Sequence, residues 1–138
     1  MTYSKDNGKY LIRLMPDEEL VESLTTFCKE HNISGGTIIG LGAAKEVELG
    51  FFSVDTKEYK KKTFTGEFEV SNLTGNISAE KLHIHMTIGD ENFQAFAGHC
   101  NRAIANPTLE VMISPYQETH RTHDDYSGLQ LLELDETT

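Results

Sequence analysis

The chain has 138 residues and a formal net charge of −10, with 38% hydrophobic and 25% charged residues. This length suits one domain whose core is large enough to fold without disulfides. The composition is that of a globular protein, and the negative charge opposes direct binding to a nucleic-acid backbone. No apolar run reaches the length of a membrane span, and the opening MTYSKDNGKY lacks the apolar core of a signal peptide. We therefore expect a cytoplasmic protein with no membrane association.

The first part of the chain predicts a strand followed by a helix. Residues 1–8 are polar and are predicted to be frayed, and residues 9–15 are predicted to form a strand. Pro16 and the three acidic residues after it open a helix, because proline and negative charge both suit a first turn. His31 and Asn32 are expected to end it. Apolar residues at helical spacing predict its buried side, formed by Leu20, Val21, Leu24, Phe27 and Cys28.

The next run, ISGGTIIGLGAA at residues 33–44, contains four glycines. It is not a phosphate-binding loop, because the Gly-Lys-Ser/Thr ending and the Gly-x-Gly-x-x-Gly spacing are both missing. The glycines instead predict bulges, or the close approach of another backbone to a buried strand. Three strands are predicted after this run, over residues 45–54, 58–64 and 67–78. Gly66 is expected to break the chain between the second and the third, and an irregularity is expected before Leu73. The lysines within residues 57–62 are interpreted as a solvated sheet edge.

Residues 81–100, KLHIHMTIGDENFQAFAGHC, predict a β-hairpin. Apolar residues alternate with His83 and His85, which places both imidazoles on one face of the first strand. A turn cluster follows, and a second strand is predicted from Phe93. Whether His99 joins the other two depends on the loop, because a slip of one residue turns every side chain to the other face. A three-residue loop that pairs Gly89 with Phe93 would place His99 directly opposite His83.

Three neutral imidazoles on one face, with open space beside them, suit a zinc-like ion at about 2.0–2.1 Å from each nitrogen. The sequence therefore predicts a metal site at His83, His85 and His99. The alternative is that each is an ordinary half-exposed polar residue of the hairpin. Spacing alone does not decide between the two interpretations.

The remainder of the chain predicts a connector, two strands and a loop. Residues 101–106, which include Arg102, are interpreted as a connector, and residues 107–116 as a strand bounded by its prolines. His120 and His123 are predicted to lie in a solvated loop beside two aspartates, before a closing strand rich in leucine. Cys28 and Cys100 form no disulfide motif and are predicted to be core residues. One helix among many strands predicts an α+β fold in which the helix covers one face of a mostly antiparallel sheet.

Five segments, in order, carry a family resemblance: YLIRLMPDEELVESL, ISGGTIIGLGAAKEVELGFF, FTGEFEVSNLTGNIS, LHIHMTIGDENFQAFAGHC and RTHDDYSGLQLLEL. Together they resemble the plant-and-prokaryote-conserved (PPC) domain in its stand-alone prokaryotic form. The resemblance implies a single α+β domain over residues 9–134 with a curved, mostly antiparallel sheet, followed by a tail at 135–138. It also implies a homotrimer. The AT-hook, the DNA-binding segment that accompanies the plant domain, is not found in this sequence. DNA binding through an AT-hook is therefore not expected.

The same fold is similar to that of acetolactate decarboxylase, which holds zinc with three histidines. Carried across by position, this resemblance implies His83, His85 and His99 as ligands of Zn²⁺. Two main hypotheses follow: a homotrimeric binding or regulatory module that acts with a protein partner, or a zinc-dependent enzyme acting on a small carbonyl or carboxylate substrate. The enzyme would need an acid or base, for which Glu69 and Arg102 are candidates. Direct DNA binding, a label often given to the family, is the third hypothesis.

Overall fold

A computed structural model describes residues 1–134 and contains one helix and eight strands within them. In chain order these are β1 (Thr2–Asp6), β2 (Lys9–Leu14), α1 (Leu20–Glu30), β3 (Gly36–Phe52), β4 (Tyr59–Ile77), β5 (Leu82–Gly89), β6 (Ala95–Pro115), β7 (His120–His123) and β8 (Gln130–Glu133). The predicted α+β class with one main helix is confirmed. The predicted tail at 135–138 lies outside the described residues. Within residues 1–134, no helix is long and apolar enough to cross a membrane.

Six strands form one antiparallel sheet in the order β1-β2-β6-β3-β4-β5. Strand β6 also pairs with β5, so that β3, β4, β5 and β6 close into a ring and the sheet is strongly curved. Strands β7 and β8 form a separate two-stranded sheet. The curvature brings the outer faces of β5 and of the first part of β6 together, and the histidines lie on these faces.

The core lies on the inner face of the curved sheet, beneath the helix. Strand β5 contributes Ile84, Met86 and Ile88, each almost fully buried, and alternate residues of the neighbouring strands surround them. The helix adds its predicted apolar stripe, of which Leu20, Leu24, Phe27 and Cys28 are buried. Because inward positions of β5 alternate with His83 and His85, burial of the apolar set fixes the imidazoles on the outer face.

The helix begins at Leu20 rather than at Pro16. Asp17 has a left-handed φ of 73°, which no helical residue adopts, so Pro16 and Asp17 belong to the turn before the helix. Glu19 is the N-cap, and its carboxylate accepts from the backbone N–H groups of Val21 and Glu22. The same carboxylate accepts from the backbone N–H of Ala103 on β6, so the cap also ties the helix to the sheet.

The glycines of β3 allow close backbone approach, as the sequence predicted. A Cβ on Gly40 would lie 2.7 Å from the carbonyl oxygen of Glu110, and one on Gly42 would lie 2.3 Å from that of Thr108. Gly42 also has a left-handed φ of 140°, and the strand register shifts between Gly40 and Gly42. These two positions let β3 bend while β6 packs directly against it.

Residues 1–8 are not frayed, contrary to the prediction. Residues 2–6 pair with residues 9–13, and Asn7 and Gly8, both with positive φ, form the two-residue turn between them. The turn sequence Asn-Gly is the preferred one for this geometry. The polar composition of residues 1–8 is thus that of an exposed strand at the edge of the sheet.

Three further predictions about continuity were wrong. Gly66 lies inside β4, because glycine adopts its φ of 144° without interrupting the strand. Residues 101–106 belong to β6, where register shifts let one long strand bend around the core. His120 and His123 lie in strand β7, which pairs with β8, although both side chains are exposed as a loop would leave them.

Candidate metal centre

The hairpin formed by β5 and β6 decides where the third histidine lies. Gly89 pairs with Ala95, so residues 90–94 form a five-residue loop. Asp90 holds this loop, since its Oδ1 accepts from the backbone N–H groups of Asn92 and Gln94, each at 2.9 Å. An odd loop was required to bring His99 to the histidine face, and the loop is odd. The predicted length of three was wrong, and His99 therefore lies opposite His85 instead of His83.

The three imidazoles converge on one point. Their ring centroids are 5.0 Å apart for His83 and His85, 5.1 Å for His83 and His99, and 5.6 Å for His85 and His99. The two Nε2 atoms of His83 and His85 are 3.2 Å apart, and one ligand nitrogen from each ring lies within 4.8 Å of the others. Nitrogens bound tetrahedrally to zinc are about 3.3 Å apart. A small inward movement of His99 would complete that geometry.

Residues beside the histidines on the outer face are small or polar. Thr74 of β4 lies opposite His85, and Asn76 lies opposite His83. Cys100, next to His99 in sequence, is buried in the core and faces away, as predicted. On the other side, the ring of Tyr59 stands edge-on to His99 with centroids 6.4 Å apart. The hydroxyl of Tyr59 donates to Oδ1 of Asn101 at 3.0 Å, which fixes the ring in this position.

Burial and nearby positive charge lower the pKa values of His83 and His99. The pKa of His83 falls from 6.5 to about 4, first because the ring is partly buried and then because of positive charge on His99, Arg121, His85 and Lys81. Burial also lowers the pKa of His99, assisted by His85 and Lys81. A neutral imidazole is the form that binds a metal ion. Neither His83 nor His99 would have to release a proton at neutral pH in order to act as a ligand.

Arg121 lies next to the cluster, a position that the sequence gave no reason to expect. It comes from β7 and donates through Nη2 to Oδ1 of Asn76 at 2.5 Å, through Nε to Oγ of Ser78 at 3.2 Å, and through Nη1 to the carbonyl oxygen of Gln130 at 3.0 Å. Asn76 is the cross-strand neighbour of His83. No pattern in the sequence links residue 121 to residue 83, because the link is made only when β7 packs against the end of β4.

The other candidates lie elsewhere. Glu69 is exposed and pairs with Gly89, four residues from His85 along β5, or about 13 Å at strand spacing. Arg102 forms an ion pair with Glu46. His120 lies between the carboxylates of Glu80 and Glu118. Among residues 1–134, the grouped metal-ligand atoms are those of three histidines, with no carboxylate or thiolate in the set.

The chain matches the Plants and Prokaryotes Conserved (PCC) domain, also written PPC, over residues 1–117. It belongs to this family. The predicted resemblance is thereby confirmed. Among curated proteins, none matches the chain.

Solved structures with the same fold cover nearly the whole chain. A candidate DNA-binding protein from Bacteroides thetaiotaomicron is 40% identical, with a TM-score of 0.91 and 96% of each chain covered. A PPC protein from Pyrococcus horikoshii is 30% identical, with a TM-score of 0.85 and coverage of 99% of this chain and 97% of that one. A protein from Archaeoglobus fulgidus described as metal-containing is 26% identical, with a TM-score of 0.83 and coverage of 97% and 99%.

The expected likeness to acetolactate decarboxylase holds at the level of the fold. The enzyme from Bacillus subtilis is 15% identical, with a TM-score of 0.52, and the alignment covers 78% of this chain and 52% of that one. At this identity the comparison concerns chain topology alone.

Proposed function

We propose that this PPC-domain protein is a metal-binding module that assembles as a homotrimer and holds a divalent ion, with zinc the best fit, on His83, His85 and His99. The observation that carries the proposal is the convergence of three imidazoles on the outer face of one hairpin. Three imidazoles suit zinc, copper, iron or nickel better than magnesium or calcium, which prefer oxygen ligands. The metal-containing relative from Archaeoglobus fulgidus supports an ion in this fold.

A histidine-only ligand set would leave a coordination position open. Structural zinc sites are usually closed by four protein ligands, whereas sites that bind a further molecule have three. The cluster holds three ligand groups, and the cross-strand neighbours of His85 and His83 on β4 are Thr74 and Asn76, neither of which is a usual zinc ligand. The module would therefore bind a ligand through its metal, which is more than a structural ion does.

The trimer proposal is supported by an apolar strip on the outer face of the sheet. Leu11 of β2, Met112 of β6 and Ile39 of β3 lie directly opposite one another across three strands, and their side chains are 54%, 38% and 55% exposed. The same row continues through Thr74 to His85. Exposed apolar strips of this kind are typical of subunit interfaces. Copies of the chain that covered this strip would place a partner surface next to the histidines.

Light scattering on a gel-filtration column tests the assembly. Three chains of 15.5 kDa should elute with a mass of about 46 kDa. The Ile39→Glu variant should shift the distribution toward monomer, because a carboxylate would be buried without a partner at the interface. A wild-type monomer at micromolar concentration would refute the assembly part of the proposal.

The second candidate is a zinc-dependent enzyme acting on a small carbonyl or carboxylate compound. The open coordination position and the neighbouring Arg121 favour it. When bound, the ion would polarise a carbonyl oxygen or lower the pKa of a bound water. Neither Glu69 nor Arg102 lies in the cluster, so the acid or base that such an enzyme needs has no candidate among the residues expected from the sequence.

Direct DNA binding is the weaker alternative, although relatives carry that description. The chain has a net charge of −10. Lys60, Lys61 and Lys62 line a cleft of about 440 Å³ with Phe64 and Phe96. Lys61 is paired with the carboxylate of Glu48 at 3.0 Å, so part of this positive charge is already neutralised. Binding to duplex DNA at low salt that weakens steeply with added salt would support this function.

Metal analysis of the untagged protein tests the central proposal. We expect about one ion per chain in the wild type and a loss of most of it in the His83→Ala variant. The matched control is His123→Ala, because His123 is exposed on β7 and outside the cluster. A wild-type protein that retains no metal after exposure to zinc would refute the metal site.

A further inference from the structure

A positively charged group stands beside the histidine cluster, and within residues 1–134 it has no carboxylate in ion-pair contact. The guanidinium of Arg121 is partly buried and has five N–H donors. Three of its nitrogens donate to neutral acceptors, which are Oδ1 of Asn76, Oγ of Ser78 and the carbonyl oxygen of Gln130. These bonds fix the plane of the guanidinium and leave two N–H groups for another acceptor.

The protein supplies little negative charge to balance this group. Among residues 1–134, no carboxylate oxygen lies within 4 Å of a nitrogen of Arg121 or Lys81. Glu80 attracts Arg121 at longer range and also accepts a hydrogen bond from Nδ1 of His120 at 3.0 Å, so one carboxylate stands against the two positive charges of Arg121 and Lys81. In a chain of net charge −10, this is a local excess of positive charge. Charge of this kind at a partly buried position is usually matched by an anion.

The excess lies close to the proposed metal. Asn76 accepts a hydrogen bond from the guanidinium and is the cross-strand neighbour of His83. The side chains of such a pair start about 5 Å apart on the same face of the sheet. Lys81 is two residues before His83 in the chain and acts on both His83 and His99. A divalent ion on three neutral imidazoles would add two more positive charges. With an ion bound, the histidine cluster would therefore be a strongly positive site.

We propose that the open side of the histidine cluster is a binding site for a small organic carboxylate, with one oxygen on the metal and the carboxylate held by the two free N–H groups of Arg121. This rests on the proposed metal site and names its ligand class. A planar guanidinium fork with two free donors matches the two oxygens of a carboxylate. A phosphate would also find partners for its oxygens on the metal and on the two N–H groups, so the titration below compares phosphate directly with the carboxylate. Arg121 is thus a binding residue for the anion, and Lys81 contributes charge from the rim.

Cobalt-loaded protein gives a readout that does not depend on activity. Co²⁺ replaces zinc in imidazole sites, and its visible spectrum changes when an anion enters the open position. Titration with pyruvate should give a saturable spectral change, while the neutral analogue pyruvamide should give little. The Arg121→Gln variant should retain one Co²⁺ per chain and bind pyruvate about 10- to 100-fold more weakly, as expected for loss of a charged hydrogen-bonding group.

Two further variants keep the test valid if Arg121→Gln loosens the β7–β8 hairpin. Lys81→Gln leaves every hydrogen bond of Arg121 in place and should weaken pyruvate binding by a smaller factor, about 3- to 5-fold. Arg102→Gln is the matched control, because Arg102 is paired with Glu46 and lies outside the cluster; it should bind pyruvate as the wild type does.

The outcomes separate the two proposals. Metal binding with no saturable pyruvate effect, or with equal pyruvate affinity in wild type and Arg121→Gln, overturns the carboxylate site and leaves the metal site intact. Inorganic phosphate that binds more tightly than pyruvate, in an Arg121-dependent manner, overturns the ligand class. A protein that binds neither zinc nor cobalt overturns both proposals.

Discussion

Replacement of His99 by alanine separates the role of this residue in metal binding from any role in folding. His99 is the ligand contributed by the second strand of the hairpin, and it is half-buried on the outer face. Because its side chain lies outside the core, we expect the metal-free variant to be within about 1 kcal/mol of the metal-free wild type. The same substitution removes one of three ligands and should abolish most of the zinc-dependent stabilisation.

The size of that stabilisation follows from ligand linkage. Free zinc at about 100 times its Kd stabilises a one-site protein by about 2.7 kcal/mol. For a domain of this size, that corresponds to a rise in Tm of about 10 °C. The cluster needs little rearrangement to reach zinc geometry, since the Nε2 atoms of His83 and His85 are already 3.2 Å apart. Little of the binding free energy should therefore be spent on reorganisation.

The assay is thermal unfolding followed by circular dichroism at one fixed protein concentration, with a chelator or with zinc. Wild type and the His123→Ala control should both show the zinc-dependent rise, and His99→Ala should show almost none. Retention of the full rise in His99→Ala would refute the three-histidine site. A metal-free His99→Ala variant destabilised by several kcal/mol would instead show that the ring is part of the core.

Three further predictions concern the scaffold around the site. Ile84→Ala should cost about 2–5 kcal/mol in urea unfolding, because Ile84 is 1% exposed in the core, whereas Thr87→Ala on the outer face should cost far less. Gly42→Ala should be strongly destabilising, since φ at Gly42 is 140° and the new Cβ would lie 2.3 Å from a backbone carbonyl oxygen. Gly89→Ala is the control and should be tolerated, because a Cβ at Gly89 would have no atom within 4 Å. Equal Tm values for the two variants would contradict the close packing of β3. The metal-free protein should lose stability as pH falls from about 6.5 to about 4, because the unfolded chain takes up a proton at His83 in this range and the folded chain, in which the pKa of His83 is about 4, does not. The His83→Ala variant should therefore show a flatter pH–stability profile between these two pH values. An unchanged slope in this variant would count against the lowered pKa.

The sequence was enough to predict the side of the sheet on which the histidines lie. Alternation of Leu82, Ile84, Met86 and Ile88 with polar residues decides which side of β5 is buried, and burial then places His83 and His85 outside. For His99, the sequence left open only whether the hairpin loop has an odd or an even number of residues. The number of residues in that loop could not be predicted, because it depends on the hydrogen bonds of one side chain, Asp90, to the backbone at 92 and 94.

Long-range contacts could not be predicted from the sequence, for a different reason. Arg121 reaches the site only because β7 packs beside the end of β4, and no local pattern encodes that contact. The long strands were missed because Gly66 and residues 101–106 look like chain breaks when considered locally. In the folded protein, both positions let a continuous strand bend around a shared core.

Anomalous diffraction at the zinc absorption edge, from crystals of untagged protein grown with zinc, tests the central claim most directly. We predict one strong peak per chain, at about 2.0–2.1 Å from a nitrogen of each of His83, His85 and His99. A zinc-grown crystal with no peak among these three rings, or with its peak at other residues, would contradict the account.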